Sequence, residues 1–227
     1  MRLCVVVATL VLTLITGERA HAQRGPDTDF LKTSPAAQGT IRQYVLDPRG
    51  EIQGLLLSDG AQVAFTSRLQ PDVASMMKLG TSVRVEGRRH RHFPFVEPDA
   101  MMNTDSGAII KVPSLLEGPL PQEKETLTVQ QMRAEGAIDR FLYDRSGRVS
   151  GLVLQDGAQI WLPPDVNDRF RQSLHVGDRI VAEGNGTENQ YGRAMEPIAM
   201  GFQDGPLTPL DYGTDRLEKP RRQHTVR

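Results

Sequence analysis

Arg88-Arg89-His90-Arg91-His92 is the densest run of chemistry-bearing side chains in the 227-residue sequence, and Phe93 and Phe95 follow at once. Guanidinium groups offer forked donors that fit phosphate, sulfate or carboxylate. An adjacent aromatic face adds stacking and cation–π attraction. The run could therefore hold a small anionic ligand or an envelope glycan, or dock an envelope protein. An ordinary solvated loop has the same composition. His90 and His92 raise a second question. Two residues apart on a strand, their imidazoles would share one face. With Met101 and Met102 nearby they form a set that suits copper.

Other chemistry is sparse. Asp59, Asp156, Glu86 and Glu183 each adjoin a glycine, and turn geometry accounts for them. No G-x-S-x-G, H-E-x-x-H or phosphate-loop pattern occurs, so the reading is a non-enzymatic protein with no cofactor. The lone tryptophan, Trp161, lies in "AQIWL" between Ile160 and Leu162. If those two point inward, alternation turns Trp161 outward. There it could stack on a ligand or seal a joint between domains.

The elements that must position these residues are spelled twice. "GLLLSDGAQVAF" at 54–65 returns as "GLVLQDGAQIWL" at 151–162, and an offset of 97 aligns Gly39–Gly87 with Gly136–Gly184 without a gap. A period this long marks a tandem domain pair rather than a solenoid. Each copy reads as a strand at 40–46 (137–143), an Asp-x-x-Gly turn, a strand at 51–58 (148–155), a two-residue Asp-Gly hairpin turn and a strand at 61–67 (158–163). Leu69, Val73 and Met77 match Val166, Phe170 and Leu174, and both sets fall on one face of a short helix. Pro71 or Pro164 opens that helix and Gly80 or Gly177 ends it. A fourth strand holds Val83 and Val85 (Ile180 and Ala182), and a fifth holds "EPDAM" (97–101) or "EPIAM" (196–200). The first strands break strict alternation, so a bulge or bend is expected there. Between strands four and five, the basic run of copy one faces the neutral "NGTENQYGR" of copy two. Met101 matches Met200 in a copy without histidines, which favours a core role for it.

The order β-β-β-α-β-β and the repeated "G-x-[IV]-x-G-L-x-L-x-D-G-x-Q-[IV]" phrase resemble exported bacterial OB-fold proteins, themselves poorly characterised. The resemblance covers the mature chain apart from tails and linker. It implies a mainly β architecture: two tandem five-stranded OB-fold-like barrels, each with a helix between strands three and four. In such barrels the outer face of strands two and three and the loops joining strands one–two and four–five hold the ligand. Nucleic-acid binding follows only by fold analogy. A net charge of −1 and 5% aromatics argue against it.

The segments read as follows: signal peptide 1–22, flexible stretch 23–36, barrel one 37–102, linker 103–132, barrel two 133–202 and disordered tail 203–227. Met1-Arg2, the apolar run Leu3–Ile15 and Ala20-His21-Ala22 form a secretory pattern cut after Ala22. No later stretch is apolar enough to span a bilayer. The only cysteine, Cys4, lies in the signal, so disulfides and thiolate sites are excluded from the mature chain. The expectation is an exported, periplasmic or secreted binding or scaffold protein, with copper binding and nucleic-acid binding as alternatives. Mass spectrometry of protein recovered from the exported fraction should find Gln23 at the N-terminus. An intact Met1 would reject the signal.

Overall fold

The computed structural model describes residues 34–113, 129–162 and 173–210. The expected signal peptide, Leu115-Leu116, the helix expected around Val166 and Phe170, and the end of the tail lie outside them.

The first copy builds β1 (Ala37–Leu46), β2 (Ile52–Leu57), β3 (Gln62–Ala64), helix α1 (Gln70–Met76), β4 (Ser82–Arg89) and β5 (Phe95–Asn103). The second builds β7 (Gln130–Tyr143), β8 (Val149–Leu154), β9 (Gln159–Trp161), β10 (Arg179–Asn189) and β11 (Gly192–Phe202). In each, the sheet closes by a parallel pairing of the third strand with the fifth: β3 with β5, β9 with β11. These are two five-stranded barrels of OB-like strand order. Two short strands extend them. β6 (Ile109–Lys111), in the stretch read as linker, pairs with β5 and buries Ile110. β12 (Thr208–Pro209), in the stretch read as disordered, pairs with β11, and Leu210 enters the second core. In each segment one apolar side chain, Ile110 or Leu210, is buried at a barrel edge, and that burial stabilises the ordered chain.

The repeated apolar residues make two separate cores. Ile41, Leu55, Leu57, Val63, Val83 and Val85 are fully enclosed in the first, and Ile138, Leu152, Leu154, Ile160, Ile180 and Ala182 in the second. Leu69, Val73 and Met77 plug the first barrel as their helical spacing predicts. Met101 and Met200 are core residues. Gly54 and Gly151 let the third strand approach. A Cβ there would sit 2.5 Å from Val63 O or 2.7 Å from Ile160 O, closer than side chains tolerate.

Three sequence expectations change. The Asp-Gly hairpins are not type I′ turns centred on Asp and Gly, because among the described residues only glycines have positive φ, and type I′ needs two such residues in succession. Instead Gly60 N–H bonds Leu57 O and Leu57 N–H bonds Ala61 O, with the same pattern at Gly157 and Leu154. This is a type I turn with glycine at the bulge. The Asp59 and Asp156 carboxylates accept the Ala61 and Ala158 amides at 2.9 Å. Next, Arg88 and Arg89 belong to strand β4, so the loop proper is 90–94. Finally, "NGTENQYGR" is no loop. β10 and β11 run through it to a two-residue turn, pairing Asn189 with Gly192.

The barrels dock through matching faces. Val45 and Leu56 of the first meet their repeat partners Leu142 and Val153 of the second, with Trp161 packed alongside. Two glutamines, also repeat partners, lock this contact. Gln62 accepts from Tyr143 N–H at 2.8 Å and donates to Tyr143 O at 3.0 Å. Gln159 accepts from Leu46 N–H at 2.9 Å and donates to Tyr44 O at 2.8 Å. The joint is a local two-fold arrangement within one chain, self-complementary as a symmetric dimer interface is.

Gln159 is wholly buried. Gln159→Ala would leave the Leu46 amide and Tyr44 carbonyl without partners, at about 1–3 kcal/mol each. We expect urea unfolding to show a loss of about 2–4 kcal/mol, in one transition for both barrels. Two transitions, or no loss, would contradict a joint that couples them.

Candidate functional site

The surfaces where OB barrels hold ligands are occupied here by the other barrel. The β2–β3 and β8–β9 faces carry Leu56, Gln62, Val153, Gln159 and Trp161, all engaged in the joint. Trp161 points outward as alternation predicts, and its indole N–H donates to Leu46 O at 2.6 Å. It therefore seals the barrels together.

The loops grip one another as well, at the two ends of the joint. At one end, the β10–β11 hairpin of barrel two reaches the β1–β2 turn of barrel one. Asn189 donates to Gly50 O at 2.9 Å. Tyr191 meets Tyr44 edge-on at 5.7 Å. At the other end, loop 90–94 of barrel one reaches the β7–β8 turn of barrel two. Phe93 lies 5.9 Å from Tyr143. It also covers Gly147, where a Cβ would sit 2.6 Å from the Phe93 ring.

Most of the sequence-predicted site residues meet at this second end. Arg88 pairs with Glu97, and Arg145 of barrel two pairs with the same carboxylate at 3.1 Å. Arg89 turns back onto Asp59 at 3.3 Å and Ala36 O at 3.4 Å. Arg91 and His92 are exposed. Among the described residues no ion pair holds Arg91. The His90 ring packs on Phe93 at 4.6 Å and Phe95 at 5.6 Å, and its Nε2 is buried without a hydrogen bond. Phe95 is buried where β5 closes against β3. His90 and His92 lie beyond the end of β4 and do not share a strand face. Among the described residues no three His, Cys, Asp or Glu side chains converge as a metal site.

Around the Phe93–Tyr143 contact, Arg88, Arg91, Arg145 and Arg148 outnumber the carboxylates of Glu97 and Asp144. The excess positive charge is spread over two barrels, which is why the basic run alone did not reveal it. Arg145 escaped the sequence reading because "DRSG" reads as turn chemistry. The docking glutamines escaped it because "DGAQ" reads as a hairpin. Their signal was the repetition itself, since a turn needs the Asp and Gly but not the Gln.

No family model matches the chain, and no curated protein matches it. The solved structures with a distant likeness to the chain include two forms of one protein. One is the wild-type single-stranded DNA binding protein from Thermus aquaticus, at 15% identity over 79% of this chain and 95% of that one, with a TM-score of 0.23. The other is a deletion mutant of the same protein, at 16% identity over 74% of this chain and 94% of that one, with a TM-score of 0.22.

The two β-turn aspartates contrast. Burial raises the Asp47 carboxyl above its ordinary value, against hydrogen bonds from the Glu51 and Arg49 amides. Burial also pulls Asp144 upward. There the hydrogen bonds from Ser146 and Arg148 prevail, and its carboxyl falls below the ordinary range. Asp47 therefore favours the fold most when protonated, and that contribution fades as pH rises through its native value. The Asp144 contribution is present above the unfolded value and is lost as pH falls through the lowered native one. Asp47→Asn should leave stability at pH 7 unchanged or slightly higher. Asp144→Asn should cost up to about 1 kcal/mol at pH 7, shrinking in acid. Denaturation curves at neutral and acid pH check both, and a pH-independent Asp144→Asn defect would contradict the assignment.

Proposed function

We propose that the chain is an exported, non-enzymatic binding protein that takes an anionic ligand at the basic end of its inter-barrel joint. The ligand class is a small molecule or glycan bearing phosphate, sulfate or carboxylate. One observation carries this reading: docking brings Arg145 of the second barrel onto Glu97 beside Arg88 of the first, with Arg91 exposed in the adjoining loop. Exposed ion pairs are worth little, so their guanidiniums can turn to a ligand at small cost. An arginine fork then gains two parallel charge-assisted hydrogen bonds to an oxyanion. Export rests on the basic start, apolar run and Ala-x-Ala site of the N-terminus.

A single-stranded nucleic acid is disfavoured as the ligand. Base stacking needs exposed aromatic platforms, and Trp161, Phe93 and Phe95 are all packed in the barrels or their joint. No observation favours copper.

A heparin hexasaccharide, as a sulfated probe, should bind in calorimetry at low salt and weaken as salt rises. The Arg88→Ala/Arg91→Ala/Arg145→Ala variant should melt like the parent and lose about tenfold or more in affinity. Absent binding, or affinity unchanged in that variant, removes the anion site. Tighter binding of a single-stranded oligonucleotide would overturn the choice of ligand.

A further inference from the structure

The opposite end of the joint holds a cleft of 620 Å³. That volume lies within the range of small-molecule sites. We propose that it binds an uncharged, polyhydroxylated ligand, a neutral oligosaccharide. The inference extends the binding-protein reading to a second site and does not depend on the anionic one.

Both barrels build the cleft. Arg42 and Gln43 come from β1 of the first; Gln155, Glu188, Tyr191 and Arg193 come from the second. Arg42 occupies the register shift of β1, where pairing with β2 passes from Ile41 to Gln43. A bulge re-aims the side chain of its extra residue, here into the cleft. Gln43 Nε2 reaches across the joint to Gly157 O at 2.6 Å and so fixes the wall that carries it. The two-residue turn of the β10–β11 hairpin sets Tyr191 at the rim, held by its contact with Tyr44.

The charges decide the ligand class. Arg193 and Asp156 neutralise each other at 2.5 Å. Arg42 and Glu188 are both exposed, and among the described residues neither has an ion pair. An anion would meet the Glu188 carboxylate, and a cation the Arg42 guanidinium. A hydroxyl both donates and accepts, so adjacent hydroxyls of a sugar can satisfy Arg42 and Glu188 together. Gln155 presents a donor and an acceptor beside them, and the Tyr191 ring offers apolar area to a sugar's C–H face. Local two-fold symmetry would make both joint ends alike. They differ because Arg42 is matched by Asp139, which pairs with Arg140 at 2.9 Å. The neutral hairpin is likewise matched by the basic loop.

The test uses the whole mature chain with chitotetraose, cellotetraose and maltotetraose as neutral probes. Amide NMR shifts should move saturably for Gly157, Tyr191 and Gly192 with at least one of them, with little dependence on salt. Arg42→Ala and Glu188→Ala should each weaken that binding about fivefold or more, while exposed Lys111→Ala leaves it unchanged. Melting curves confirm that each variant folds. No shift at those residues with any probe up to about 10 mM, or full binding by an Arg42→Ala/Glu188→Ala variant, would overturn the proposal. The sulfated probe of the basic end succeeds or fails separately, so the two sites are judged apart.

Discussion

A buried primary amide must place donors and acceptors at once, and Gln62 and Gln159 do so by bonding the main chain of the opposite barrel. Each behaves like one residue of a missing strand: it accepts one N–H and donates to one C=O. That arrangement supplies direction where the neighbouring apolar contact supplies none. Val45, Leu56, Leu142 and Val153 would tolerate a slide of one face on the other. The amides would not, since a shift of about 1 Å spoils a hydrogen bond and strands a buried polar group. Register at the joint in turn fixes what meets at its ends: Asn189 on Gly50, Phe93 on Gly147, Arg145 on Glu97.

The fold was legible where local chemistry repeats. The offset of 97 gave two barrels. Helical spacing gave the Leu69–Val73–Met77 plug, and strand alternation turned Trp161 outward. Other features depend on contacts that no local pattern announces. The extra strands β6 and β12 form because Ile110 and Leu210 find barrel edges to cover, and short apolar runs in polar segments do not declare that in advance. The hairpins were misread as two-residue turns centred on Asp and Gly because Asp-Gly suits both geometries. The choice falls to Asp59 and Asp156, whose carboxylates hold the Ala61 and Ala158 amides and keep the aspartate backbone at negative φ. At the site, the basic run was visible in sequence but its setting was not. Arg88 and Arg89 are strand residues in ion pairs, and the partner that matters most, Arg145, lies 57 positions beyond Arg88 in the other copy.

A self-complementary joint has a functional consequence. Faces that an isolated OB barrel offers to ligands are spent on holding two barrels together, which leaves the rims, where loops of both copies meet, as the place for the proposed recognition. Such a rim is positioned by rigid elements on either side, which suits a binding site better than a free loop would. Local symmetry also provides two rims from one design, and duplication within a single chain frees each to change alone. A homodimer could not separate them, because one substitution would alter both ends.

The present sequence has used that freedom in the charges. One rim holds Arg88, Arg91, Arg145 and Arg148 around an aromatic contact. The other balances Arg42 and Arg193 with Asp156 and Glu188. The apolar centre between them differs little between copies: Val45 is matched by Leu142, Leu56 by Val153, and both glutamines persist. Packing tolerates only volume-conserving change at such a centre, while exposed charges vary at small cost in stability. Divergence at the rims over a shared joint is the pattern expected if the joint serves stability and the rims serve recognition. The two proposed ligands, an anionic one at one end and an uncharged one at the other, rest on the same geometry with an excess of positive charge at one rim and balanced charge at the other.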